Sequence, residues 1–161
     1  LCRFTRLKIR TLSRMPEVEG SPVDYHQWQA LLRSVSGYEP YRRTHSFRIV
    51  PARVLDFLLR EEDFPRSFLH CLLCIEESLG ELHAREGARE LVQQRVADFI
   101  EEVHQIDADA LLRAGRVEEE LSRLGQACDD FEGMLEDTLF RSLTLVRDSG
   151  TGELQAQALQ Q

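Results

Sequence analysis

At 161 residues, 42% of them hydrophobic and 30% charged, the chain is long enough for one domain with its own core, and its composition excludes wholesale disorder. No apolar run approaches the roughly 20 residues that span a bilayer, and basic residues are not interleaved with aromatics in any long patch, so neither a membrane nor nucleic acid is an expected partner. The net charge of -8 is unevenly spread: residues 1–54 hold ten Lys and Arg against four Asp and Glu, or +6, and the remainder ten against twenty-four, or -14. That asymmetry reads as a basic N-terminal helix on an acidic bundle, or as a basic face for a partner or a phosphate.

Only five Pro and nine Gly are present, and runs of β-branched residues are missing, which favours helices over strands. Residues 1–15 predict a helix with Phe4, Leu7 or Lys8, and Thr11 or Leu12 on one side. Residues 16–22 form a loop between two prolines. A helix then starts near Asp24, an acidic cap candidate, with Tyr25, Trp28, Leu32, Val35 and Tyr38 on one face. Pro40 is expected to kink it or stop it. Pro51 suits the first turn of a short helix running to Arg60, with Val54, Leu55 and Leu58 inward.

Asp63 followed by Pro65 marks the next start, because a carboxylate accepts orphan N–H groups and proline lacks one. That helix runs to Ala84 and buries Phe68, Leu69, Leu72, Ile75, Leu79 and Leu82. Residues 86–104 repeat the pattern with Leu91, Val92, Val96, Phe99 and Val103. A turn at Asp107 leads to a short helix over 110–114, broken at Gly115. The last helix carries Val117, Leu121, Leu124, Cys128, Phe131, Leu135, Thr138 and Ser142 in a near-heptad stripe. The whole predicts an all-α bundle of about five to six helices, with one helical domain over 1–147 and a frayed tail over 148–161. The helices starting near Asp24, Pro65 and Gly115 are expected to supply most of the core.

Four cysteines, at 2, 71, 74 and 128, read as reduced thiols in a cytoplasm. His70-Cys71-Leu72-Leu73-Cys74 lacks two further ligands at zinc spacing, so Cys71 and Cys74 are expected to pack as small hydrophobes. Glu101-x-x-His104 is half of a di-iron signature without its second half, which leaves a solvated surface pair. No phosphate loop, nucleophile elbow or His-Glu-x-x-His occurs, so neither a cofactor, a metal nor catalysis by this chain alone is expected. Nineteen of the twenty basic residues are Arg, which reads as the codon usage of a GC-rich bacterial genome sooner than as a need for nineteen guanidinium forks.

One polar constellation remains: Tyr38, Glu39, Tyr41 and Arg42, with Asp63 and Arg66. Two readings stand. In one, Asp63 caps its helix while Arg66 or Arg42 pairs with a carboxylate and ties two helices together. In the other, guanidinium forks, tyrosines and a helix N-terminus form a pocket for a small anionic or zwitterionic ligand, such as an amino acid or a peptide terminus.

Two stretches, 21–42 (Ser-Pro-Val-Asp-Tyr-His-Gln-Trp through Gly-Tyr-Glu-Pro-Tyr-Arg) and 54–72 (Val-Leu-Asp-Phe-Leu-Leu-Arg-Glu-Glu-Asp-Phe-Pro-Arg through His-Cys-Leu), closely resemble the bacterial alpha-E domain, an all-helical family of unknown function. The resemblance continues more loosely beyond them and matches the C-terminal half of the family's usual length. Together with a start at Leu1 inside a basic amphipathic pattern, this raises the expectation of a truncated member. The family is often encoded beside a circularly permuted ATP-grasp protein and transglutaminase-like proteins. That association implies a role in peptide-bond formation, as a non-catalytic partner module of an ATP-grasp peptide or amide ligase. An enzyme acting on peptides or amino acids and a purely structural domain are the alternatives. Family members usually open with a helix of the type Gly-Arg-Tyr-x-Glu-Arg; here Arg3 and Phe4 follow it, Arg6 stands where the acid is expected, and Pro40 replaces a small helix former.

Overall fold

Gly37 divides what the spacing reads as one helix into two. The computed structural model describes residues 22–45, 48–81 and 86–140; the helix expected over 1–15, Cys2 and the tail over 148–161 lie outside them. The first helix, α1 (Pro22–Ser34), begins at Pro22, so Asp24 falls inside its first turn and is not its cap. At the other end, Gly37 N–H donates to the Leu32 carbonyl at 2.7 Å and Ser36 N–H to the Arg33 carbonyl at 3.0 Å. These two bonds are the Schellman closure of a helix, which needs a left-handed residue; Ser36 supplies it at φ 57°. Gly37 then opens α2 (Tyr38–His45), its carbonyl accepting from Tyr41 N–H at 2.9 Å. Pro40 is therefore the third residue of a new helix, where the ladder asks for no N–H donor. It neither kinks nor stops anything, because the chain has already turned.

Five more helices follow: α3 (Pro51–Arg60), α4 (Phe68–Glu81), α5 (Glu86–His104), α6 (Ala108–Arg113) and α7 (Val117–Leu135), closed by a π turn over Glu136–Phe140. The fold is all-α, with seven α-helices and no strand among the described residues, slightly more helices than the five or six expected. Pro51 stands in the first turn of α3, and the bounds of α5 agree with the spacing. Asp107 caps α6, accepting from Ala110 N–H at 2.9 Å, and Gly115 leaves that helix at φ 64°.

The expected start at Asp63 and Pro65 is corrected to Phe68. The cap is Ser67, whose buried hydroxyl accepts from His70 N–H at 3.0 Å. Residues 61–67 instead make two successive turns, with Phe64 N–H donating to Glu61 O at 3.2 Å and Ser67 N–H to Phe64 O at 2.8 Å. The detour buries Phe64, which stacks on Phe57 with ring centroids 4.8 Å apart. Burying a large ring outweighed the local preference for an Asp cap.

Helix α3 is the hub. Leu55 and Leu59 face a cluster with Leu69, Leu72, Phe99, Val103, Leu121 and Leu124. Val54 and Phe57 face a second cluster, with Trp28, Leu32, Tyr41 and Phe64. The α3 helix accordingly packs against α1, α2, α4, α5 and α6. Leu79, Val92, Val96 and Phe131 form a third cluster between α4, α5 and α7. The core thus draws on α3 and α5 as much as on the helices expected to dominate it. Three residues expected inside are outside: Tyr25 is 40% exposed, Leu91 is 57% exposed, and Cys74 is exposed, because the inner face of each helix is already filled by its neighbours. No helix among the described residues is long and apolar enough to cross a membrane.

Candidate functional site

The six residues singled out in the sequence gather around the α1–α2 elbow and the loop between α3 and α4, but they do not converge on one point. Arg66 Nη1 donates to the Val35 carbonyl at 2.8 Å and to Ser36 Oγ at 2.9 Å. It therefore ties the loop to the end of α1 through a backbone carbonyl left over by that helix, and not through a carboxylate. Phe64, two residues earlier, closes on the same elbow: a Cβ on Gly37 would lie 3.1 Å from its Cζ.

Tyr41 is fully buried. Its hydroxyl donates to the Arg48 carbonyl at 3.3 Å and accepts from Val50 N–H at 3.4 Å, while its ring stacks on His45 at 4.9 Å and meets Phe57 edge-on at 5.5 Å. Burial pushes the Tyr41 phenol above its ordinary pKa, against the bond from Val50 and the charge of Arg53. Tyr41 is a strut that holds the chain entering α3 onto α2.

Tyr38 faces the other way. Gln29 Nε2 donates to its hydroxyl at 2.9 Å, and two guanidinium carbons lie against its ring, Arg33 at 4.7 Å and Arg42 at 5.5 Å from the centroid. Arg42 also reaches Glu39, whose side chain is 67% exposed, at 3.4 Å. The role of Arg33 was missed in the sequence, because its contact crosses the elbow and matches no helical spacing.

Asp63 belongs to a separate feature, an open cleft of about 340 Å³ lined by His45, Asp56, Phe57, Arg60, Glu61, Glu62 and Asp63. Arg60 pairs with Asp56 one turn away and donates to the His104 carbonyl at 3.1 Å, tying α3 to the end of α5. Of these seven residues only Asp63 was singled out beforehand. The Asp56–Arg60 step of four was a readable signal for the pair; the placing of His45 opposite it depends on the elbow.

The other sequence candidates are structural or exposed. His70 Nδ1 donates to the Glu62 carbonyl at 2.6 Å, and Cys71 Sγ lies 3.8 Å from the Pro65 carbonyl. Glu101 and His104 are exposed, and Glu101 accepts from Gln105 at 2.9 Å. No group of three or more His, Cys, Asp or Glu that could hold a metal ion stands among the described residues. A charge network that the sequence reading did not anticipate joins α5 to α7: Glu102 accepts from Arg95 at 3.0 Å and from Arg123 at 2.9 Å, and Arg123 also holds Glu120 at 2.7 Å. Burial alone would raise the Glu102 carboxyl, but hydrogen bonds from Arg123 and Arg95 and their charges outweigh it and hold the group below its ordinary value.

A family model for a predicted alpha-helical domain with a conserved ER motif matches residues 1–140. No Glu-Arg dipeptide stands in these 161 residues. No curated protein and no solved structure matches the chain.

Proposed function

The chain belongs to the Alpha-E family, and from that premise we propose that it acts as a non-catalytic partner module of an ATP-grasp peptide or amide ligase. The observation that supports this reading is the use made of the polar constellation. Arg66 and Tyr38 direct hydrogen bonds or ring faces to the α1–α2 elbow, and Tyr41 holds the chain entering α3 onto α2. Groups held in that way brace a scaffold, whereas an acid, a base or a nucleophile at work must face a reacting atom. The charged groups beyond the junction, Arg33 and Arg43 on one side and Glu62 and Asp63 on another, are exposed, as a recognition surface requires. In this reading the ATP-grasp protein performs the ligation, and the helical module docks on it in a bacterial cytoplasm.

Co-expression with the neighbouring ATP-grasp protein tests the proposal. The two should co-purify, and the helical chain should change the ligase rate without turnover of its own. Turnover of a peptide or an amino acid by the 161-residue chain alone would favour an enzyme instead, and a ligase that neither binds it nor changes rate would leave a purely structural domain.

A further inference from the structure

Two arginines near the elbow stand apart from the arginines that pair with an acid on the outer helices, where Arg60 has Asp56, Arg95 has Glu102, Arg113 has Asp109, Arg116 has Glu119 and Arg123 has Glu120. Arg33 and Arg43 are exposed and have no carboxylate among the described residues. Arg33 is nevertheless held in place, since its guanidinium lies over the Tyr38 ring at 4.7 Å and Gln29 anchors that ring by its hydroxyl. A stacked guanidinium keeps its N–H donors in the plane of the fork, pointing away from the ring. Arg42 lies against the same ring at 5.5 Å and shares its charge with an exposed Glu39 at 3.4 Å, a contact that solvent weakens. The result is an ordered pair of forks around one tyrosine, on a chain whose net charge is -8.

We propose that the Arg33–Tyr38–Arg42 face is the docking surface for an acidic segment of a partner polypeptide. The inference rests on the partner-module reading and names the chemistry that the partner must present. Planar forks match carboxylates two oxygens at a time, and a ring that holds the fork in advance lowers the ordering cost of binding. A carboxylate suits the face better than a phosphate, because Glu39 beside Arg42 cuts the local positive charge and penalises a dianion. A long polyanion is disfavoured too, since the carboxylates of Glu61, Glu62 and Asp63 line a cleft beyond the elbow.

The test uses the whole chain and a fluorescein-labelled hexaglutamate peptide with an amidated C-terminus, read by anisotropy at low ionic strength. Hexaglutamate should bind and a labelled hexaglutamine should not. Arg33→Gln and Arg42→Gln should each weaken binding roughly three- to five-fold, the range of a partly exposed charge-assisted pair. Arg113→Gln, on α6, should leave it unchanged. Tyr38→Phe, which keeps the ring, should retain most of the binding, and Tyr38→Leu should lose it, with circular dichroism checking that each variant remains folded. Equal binding by Arg33→Gln and the parent chain would overturn the proposal, as would no binding of hexaglutamate at all. A phosphoserine peptide that binds more tightly than hexaglutamate, through the same arginines, would replace the carboxylate with a phosphate and overturn it as well. If hexaglutamate binds through Arg33 while the ligase fails to co-purify, the ligase assignment falls and the docking face stands. If the ligase co-purifies equally with Arg33→Gln, the face falls alone.

Discussion

Arg66 Nη1 sits 2.8 Å from the carbonyl oxygen of Val35, thirty-one residues earlier, and so closes the end of α1 from outside. The acceptor is the cap residue of a helix whose exit is left-handed at Ser36. Because no carboxylate is stranded when Arg66 is removed, the cost of Arg66→Ala should be that of an exposed charged hydrogen bond, about 1 kcal/mol, and not the several kcal/mol of a broken buried pair. Urea unfolding should show a lower midpoint with an unchanged slope. A loss above about 3 kcal/mol would mean that Arg66 meets a buried acid after all.

Gly37 is the other half of the elbow. A methyl group there would lie 3.1 Å from Phe64 Cζ and 3.3 Å from Phe57 Cε1, both side-chain atoms of packed rings. Gly37→Ala should therefore destabilise by about 1–3 kcal/mol through overpacking. Phe64→Leu in the same chain should recover part of that loss, although by itself it costs stability. Additive losses in this double-mutant cycle, measured by thermal unfolding, would sink the contact.

The elements that could be read in the sequence are those whose signals are local. Pro51 in a first turn, the apolar spacing of Val92, Val96, Phe99 and Val103, and the turn at Asp107 all act within one or two turns of themselves. The elbow could not be read, because Ser36 has no intrinsic preference for left-handed backbone and the residue after it, Gly37, packs against Phe64, which is remote in sequence. The start of α4 was misplaced for a related reason: Asp63 and Pro65 form a sound local signal, and the burial of Phe64 against Phe57, seven residues away, overrides it. Of the site, the sequence grouped Tyr38, Glu39, Tyr41, Arg42, Asp63 and Arg66 as one constellation, which the fold spreads over the elbow, the entry to α3 and the cleft. It missed Arg33 and the cleft around His45, both of which depend on how the elbow folds back.

Phe57 stands at the centre of the second cluster, stacked on Phe64 and edge-on to Tyr41. Only 1% of its surface is accessible. Phe57→Ala should cost about 3–5 kcal/mol, a large share of the roughly 5–15 kcal/mol that holds a domain folded. Leu91→Ala, at a position 57% exposed, should stay within about 0.5 kcal/mol of the parent. Equal effects of the two changes on the melting temperature would contradict the placing of α3 at the hub.

The Glu102 network makes stability depend on pH with a definite sign. Arg123 and Arg95 hold the Glu102 carboxyl below its ordinary value of 4.5 in the folded chain. Its contribution is therefore complete above that value and is lost as pH falls through the lower folded one. Side chains here are a third to a half exposed, so the network is worth about 1 kcal/mol. Glu102→Gln should lower stability by that amount at pH 7, and the gap between the two chains should close as the pH is taken well below 4, followed by urea midpoints at each pH. Added salt should narrow the gap at pH 7 as well, since solvent reaches both arginines. A gap that stays constant down to acid pH would mean that Glu102 contributes through packing and not through its charge.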